Sequence, residues 1–305
     1  MNTSEIQKEI LRLKSEKNCC ILAHSYQSGE ILEVADFTDD SFALSTAANR
    51  IDCGTVILCG VRFMAETVKI LSPEKHVILA NPSAGCPMAD SIDAEKVREL
   101  KRQYPGYAVV AYINTTAEVK AECDVCVTSS SAVRIMDNLD SDGIIFIPDI
   151  NLGRYVKNRF GEKDIILYDG CCPRHACISA DTVRSVMKLH PDARFLVHPE
   201  CGEDVVDLAH FVGSTKEIMD EAASGNAGEY IIGTEISIVQ HLSRACPDKK
   251  FYPVSNDLVC GDMRITSLSD ILGALNGTGG EEIYIRQEIL DKARGSIDRM
   301  IELGR

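Results

Sequence analysis

Apolar and polar positions alternate between two kinds of segment along this chain, and the alternation comes round three times. Amphipathic stretches at 4–17, 93–104 and 181–190 open each round, with Ile6, Ile10 and Leu13 on one helical face of the first. Each is followed by an apolar run that ends in polar residues: Cys20-Ile21-Leu22-Ala23-His24, Ala108-Val109-Val110-Ala111-Tyr112-Ile113-Asn114, and Phe195-Leu196-Val197-His198-Pro199-Glu200. Second runs follow at Val56-Ile57-Leu58, Ile144-Ile145-Phe146-Ile147 and Tyr230-Ile231-Ile232. Third runs are Val77-Ile78-Leu79-Ala80, Ile165-Ile166-Leu167 and Phe251-Tyr252-Pro253-Val254. Unbroken apolar runs of this length predict strands buried on both faces of a parallel sheet. The stretches between them are long enough for crossover helices.

The pattern predicts an α/β fold of three pseudo-symmetric, three-layer αβα units with short parallel sheets around a central active site. The units are expected at residues 1–90, 91–177 and 178–264. Residues 281–303 have no counterpart in the repeat. Ile289, Ile297, Met300 and Ile301 predict a closing helix there, so that segment 265–305 packs on the first unit, with Gly277-Thr278-Gly279-Gly280 as the linker into the helix.

Polar residues keep the same period. Cys86, Cys172 and Cys260 follow one another at intervals of 86 and 88 residues, His24, Tyr112 and His198 at 88 and 86, and Ser41, Ser129 and Ser214 at 88 and 85. In parallel sheets ligands collect beyond the carboxyl ends of the strands. The histidines, Tyr112 and the cysteines all fall just past apolar runs. Three equivalent thiolates around one axis would hold a metal centre and leave one position open.

Composition narrows the classes. Of 305 residues 45% are hydrophobic, ample for a folded core, and no apolar stretch approaches the ~20 residues that span a membrane. The N-terminus is charged and amphipathic rather than a secretory signal, so a cytoplasmic location is expected. A formal net charge of −14 argues against nucleic acid or an anionic membrane as partner. It leaves room for an anionic substrate, because donors in a cleft can outweigh the global balance.

Thirteen cysteines without an export signal read as thiols or metal ligands rather than disulfides. Cys19, Cys20, Cys53, Cys59 and Cys246 flank or sit in apolar runs and read as core residues. So do Cys123 and Cys126, despite their redox-like spacing, because no second pair accompanies them. Cys86, Cys172 and Cys260 differ: glycine or proline flanks each, which marks exposed loops suited to ligation. Three thiolates suit zinc or an iron–sulfur cluster, and spacing leaves both open.

Tyr26, His24, His198 and Glu200 offer phenol, imidazole and carboxylate for acid–base work, and His175, three residues beyond Cys172, could orient substrate or donate a proton. Alternation along a strand points His24 and Tyr26 to one side, and His198 and Glu200 likewise. Ser41, Ser129, Ser214 and Thr215 lie where helices open, and there such residues cap or bind phosphate and carboxylate. Arg62, Glu66, Asp149 and Glu235 follow the second runs and are hydrogen-bond candidates.

These residues resemble the quinolinate synthase family. The likeness is carried by Ala23-His24-Ser25-Tyr26-Gln27, Ala35-Asp36-Phe37 with Asp40-Ser41, Tyr112-Ile113-Asn114-Thr115-Thr116-Ala117, Asp149-Ile150-Asn151-Leu152-Gly153, His198-Pro199-Glu200-Cys201, Gly213-Ser214-Thr215 and Gly233-Thr234-Glu235. The resemblance implies one 4Fe–4S cluster with three cysteine ligands and an open iron site. It implies that Cys86, Cys172 and Cys260 are those ligands, Cys172 rather than Cys171 because of its spacing to His175. It also implies condensation of iminoaspartate with dihydroxyacetone phosphate to quinolinate, losing phosphate and two waters, in NAD biosynthesis. His24, Ser41, Tyr112, Asn114, Ser129, His198, Glu200, Ser214 and Thr215 would hold the substrates, and an aspartate oxidase or dehydrogenase would supply the iminoaspartate. Within the acid–base set Glu200 is the first choice of base and Tyr26 the second. An iron–sulfur hydro-lyase acting on another hydroxy-acid or sugar phosphate is the alternative enzyme, and a metal- or metabolite-sensing protein the alternative class.

Overall fold

The computed structural model describes residues 1–48 and 50–304. The chain forms two compact units. One comprises Met1–Ala94, Ile113–Glu122 and Gly261–Ser296; the other comprises Glu95–Tyr112, Cys123–Cys260 and the segment that begins at Ile297.

Three short parallel sheets are built on one plan. The first unit holds β1 (Cys19–His24), β2 (Phe37–Asp39), β3 (Thr55–Cys59) and β4 (His76–Leu79), ordered β4-β3-β1-β2. The second unit holds β5 (Ala108–Tyr112), β6 (Val125–Val127), β7 (Gly143–Ile147) and β8 (Asp164–Leu167), ordered β6-β5-β7-β8. It also holds β9 (Arg194–Val197), β10 (Phe211–Val212), β11 (Glu229–Gly233) and β12 (Lys250–Pro253), ordered β10-β9-β11-β12. In each set the first strand lies inside, paired in parallel with the second and third. The α/β class and the short parallel sheets are those the hydrophobic runs predict.

Local sequence explains these elements. Strand residues such as Ile21, Leu22, Ile57, Val110, Ile145, Phe195 and Ile231 are buried, as the strands of a parallel sheet covered by helices must be. The amphipathic stretches become helices Thr3–Glu16, Ala94–Gln103 and Ala180–Leu189. A capping box of Asn2 and Glu5 starts the first, and Ser179 caps the third. Ile10 and Leu13 share one core with Ile21 and Ile57 and with Ile271 and Leu275 of helix Leu268–Asn276. In the second unit Val183, Phe195, Val197 and Ile231 share another.

After the inner strand each set makes a one-turn helix, Gly29–Leu32, Ala117–Lys120 or Glu203–Val206. A short edge strand follows, and a side chain completes its pairing. Asp36 donates its N–H to the Ile21 carbonyl at 2.8 Å and accepts the Ile21 N–H on Oδ2 at 2.8 Å. Asp124 does the same with Val109, at 3.0 and 2.8 Å, and His210 with Phe195, at 2.8 and 2.9 Å through Nδ1. Gly233 ends β11 where a Cβ would stand 2.8 Å from the Phe195 ring and 2.9 Å from Val197, so the close approach of β11 to β9 requires glycine.

Segment 281–303 departs from a single helix. Glu281–Glu282 pairs antiparallel with β4, and the helix begins later, at Gln287–Leu303. Charge explains the difference: Arg62 grips Glu281 with two bonds of 2.5 and 3.0 Å, and His76 Nδ1 lies 2.7 Å from Glu282. Gly277 and Gly280, both at positive φ (70° and 76°), turn the chain out of helix Leu268–Asn276 into this pairing.

Candidate active site at the strand ends

His24 is the last residue of β1 and is buried. Its Nδ1 accepts the Tyr26 N–H at 3.1 Å, and the two rings meet edge-on with centroids 4.5 Å apart. Burial pulls its pKa down to about 3, so the imidazole is neutral and its proton sits on Nε2. His198, just past β9, repeats this turn: its Nδ1 accepts the Glu200 N–H at 3.3 Å, and burial holds its pKa at about 4. Each histidine thus does for its own backbone what an asparagine does in an Asx-turn, and the bond selects the tautomer.

In the second unit the strand ends bring an acid–base group together. Glu200 and His175 are buried and form an ion pair, His175 Nδ1 to Glu200 Oε2 at 2.8 Å. The same Nδ1 lies 3.3 Å from Cys172 Sγ, and His175 Nε2 lies 3.0 Å from Thr234 Oγ1. The His175 and His198 rings sit 4.9 Å apart, tilted by 30°. Tyr112, which ends β5, hydrogen-bonds to Glu200, and Asn151 donates to the Glu200 carbonyl at 3.0 Å. Ligand atoms of Cys172, His175 and Glu200 all lie within 4.8 Å of one another.

Electrostatics assigns charges within this cluster. Burial disfavours charge on both partners of the ion pair, yet their mutual attraction outweighs it. The Glu200 carboxylate raises the pKa of His175, while His198, His175 and the hydrogen bonds from His175 and Tyr112 lower that of Glu200. Burial, and then the Glu200 charge, push the Asp149 carboxyl up to about 7, against the N–H groups of Leu152 and Cys172 that pull it down. The same two causes, burial first, hold the Cys172 thiol well above its ordinary range.

All three repeat-related cysteines are thiols outside any disulfide, partly buried and placed on the loop after the fourth strand of their set. One backbone bond recurs at each. The residue at which the helix after the third strand opens donates its N–H to the carbonyl two residues before the cysteine: Arg62 to Ala84 at 2.9 Å, Ile150 to Gly170 at 2.7 Å, and Ile236 to Leu258 at 2.9 Å. Cys172 rather than Cys171 faces His175. Of the cysteines read as core, Cys20, Cys53, Cys59 and Cys126 are buried, while Cys19, Cys123 and Cys246 are partly exposed.

Within the second unit the structure therefore gathers Tyr112, Cys172, His175, His198 and Glu200. Ser129, Ser214, Thr215 and Cys260 belong to that unit too; His24, Tyr26, Ser41, Cys86 and Asn114 belong to the first. Ser41 is the first residue of helix Ser41–Ala48, whose N–H groups at Phe42 and Ala43 are capped by Asp40. Ser129 sits in a turn held by Thr128 and Ser131. Ser214 is occupied as a cap, in a box with Glu217, and Thr215 is the buried first residue of helix Thr215–Ser224. Asn114 is half-buried beyond β5. Sequence reading did not single out Thr234 as a partner of His175 or Asn151 as a prop of Glu200. The signals were their place just past the second apolar runs and their presence in the motifs Asp149-Ile150-Asn151-Leu152-Gly153 and Gly233-Thr234-Glu235.

Parallel sheets with thiols, imidazoles and a charged carboxylate at their carboxyl ends define an α/β protein that carries acid–base groups and candidate metal donors past its strands. The sequence model of the family described as "Quinolinate synthetase A protein" matches residues 8–302. A quinolinate synthase of Caldicellulosiruptor bescii is 46% identical over 304 residues, covering 100% of both chains. One of Alkaliphilus metalliredigens is 46% identical over 99% of this chain and 100% of its own, and one of Methanoregula boonei 45% identical over 99% of each. The chain belongs to the quinolinate synthase family.

Proposed function

We propose that the protein condenses iminoaspartate with dihydroxyacetone phosphate to quinolinate, releasing phosphate and two waters, as a step of NAD biosynthesis. The sum balances with no oxidant or reductant, so the residues must deliver proton transfers and charge stabilisation. The observation that carries the reading is the buried His175–Glu200 pair 2.8 Å apart beside the Cys172 thiol, in a chain of this family.

Cys86, Cys172 and Cys260 would be the ligands of one 4Fe–4S cluster. The donor set fits: each is a thiol, partly buried and tied at the same point of its loop. The cluster, when bound, would supply a Lewis acid at an iron without a protein ligand. The remaining work belongs to side chains. His175 keeps Glu200 ionised, the state a general base must be in, and Glu200 would take the proton α to the imine or carbonyl on an oxygen. His198 and His24, neutral and protonated on Nε2, would donate hydrogen bonds to substrate oxygens, and Tyr26 would give a proton to a departing hydroxyl. Tyr112, Asn114, Ser41, Ser129, Ser214 and Thr215 would hold carboxylates and phosphate with neutral donors, which suits anionic substrates. An aspartate-oxidising enzyme would have to supply the short-lived imine.

The test is anaerobic purification with iron and sulfide analysis, and an assay on the same sample with iminoaspartate made in situ. About four irons and four sulfides per chain with quinolinate formed is the expected result. A cluster without quinolinate would move the protein to dehydration of another hydroxy-acid or sugar phosphate. Zinc, or no metal, would sink the cluster.

A further inference from the structure

The loop of Cys172 carries a second tie besides its recurring backbone bond. The Cys172 N–H donates to Asp149 Oδ2 at 3.0 Å, while Asp149 Oδ1 accepts the Leu152 N–H at 2.7 Å. Asp149 is wholly buried and stands two residues past the end of β7, so this carboxylate is fixed to the sheet rather than to the loop. A helix cap needs only one oxygen. The other reaches the backbone of the cysteine.

The consequences run along the chain. Cys172 opens the one-turn helix Pro173–Ala176, closed by the Ala176 N–H to the Cys172 carbonyl at 2.9 Å. That turn carries His175. One carboxylate thus couples the end of β7, the start of helix Ile150–Lys157, the thiol of Cys172 and the ring that pairs with Glu200. At the equivalent positions of the other sets stand Val61, which has no side-chain acceptor, and Glu235, whose Oε2 accepts the Ser237 N–H at 2.7 Å.

We propose that Asp149 is the positioning residue of the cysteine site: its Oδ2 aims the Cys172 thiol at the cluster and, through the turn that follows, His175 at Glu200. The proposal rests on Cys172 being a cluster ligand. Partners of this kind, one bond removed from a ligand, govern how tightly a metal is held.

The test compares the wild type with Asp149→Ser and Ser179→Ala, each loaded anaerobically with iron and sulfide. Serine still caps a helix but has a single side-chain oxygen. Ser179→Ala removes a comparable cap, the Thr182 N–H to Ser179 Oγ at 3.2 Å, at the start of the next helix and with no bond to the Cys172 backbone in that contact. Bleaching of the cluster's visible band by an iron chelator is followed. Asp149→Ser should lose the cluster at least about tenfold faster than wild type, and Ser179→Ala at the wild-type rate. Equal rates in all three, or equal acceleration in both variants, overturn the proposal. If Asp149→Ser does not fold, amide exchange in the metal-free wild type decides. The Cys172 N–H should be protected about a hundredfold over an unstructured chain, and exchange at the unstructured rate overturns the proposal. A wild type that takes up no cluster defeats the ligand reading instead, and the exchange measurement still tells whether Asp149 holds this backbone.

Discussion

Which imidazole carries charge decides the chemistry of single residues here. His24 and His198 are buried without a carboxylate at hydrogen-bonding distance and stay neutral, whereas His175 has Glu200 at 2.8 Å and is driven to the cation. Glu200→Gln keeps the shape and removes the proposed base. Turnover should fall by about a hundredfold or more while KM moves little, read from steady-state kinetics; full turnover would remove Glu200 from the base role. His24 gives a pH prediction. Its folded pKa, about 3, lies below the ordinary 6.5, so protonation favours unfolding. Its contribution to stability is complete above the unfolded value and is lost as pH falls towards 3. Between pH 7 and 5 the loss from this group is about 2 kcal/mol. Urea unfolding at the two pH values should give a shallower decline for His24→Asn, which can still accept the Tyr26 N–H. Parallel declines would refute this.

At the scale of elements, the short edge strands depend on side chains. Asp36, Asp124 and His210 each satisfy an N–H of the neighbouring strand, and Lys14 and Lys101 approach the two aspartates at 2.8 and 3.8 Å. Asp124→Ala leaves the Val109 N–H without its acceptor and should lower unfolding stability by about 1–2 kcal/mol, with the iron content of the loaded protein unchanged. Ser214→Ala should cost about 1 kcal/mol through the lost cap. A fall in substrate affinity larger than the fall in stability would add a binding role to the capping one. The edge strands were not legible beforehand, because two or three residues cannot display a period. The inner strands were, since buried parallel strands must be apolar on both faces.

For the whole molecule, the cysteine loops lie outside the sheets, and the cores of both units are built mainly of apolar residues from strands and helices, to which the Cys260 loop adds Val254 and Leu258. Iron removal should therefore abolish catalysis while leaving far-ultraviolet circular dichroism and a cooperative unfolding transition in place. Collapse of the apoprotein, as in small zinc domains, would contradict that expectation. No helix among the described residues is long and apolar enough to cross a membrane. The −14 charge sets the long-range field and disfavours polyanions as partners, whereas a small anion would be held by local donors.

The sequence alone determined the repeat, the α/β class, the parallel strands and the residue types at the strand ends. Periodicity and burial act locally along a chain, and the repeated cysteine, histidine and serine spacings were legible because one architecture was written three times. Tertiary structure decided what local pattern cannot carry. It paired Glu281–Glu282 with β4 through Arg62 and His76, and set His175 between Glu200, Cys172 and Thr234. It also gave both oxygens of Asp149 a partner. Those outcomes depend on which side chains meet across strands distant in sequence. A charge state such as that of His175 follows from its neighbours in space, which no spacing along the chain records.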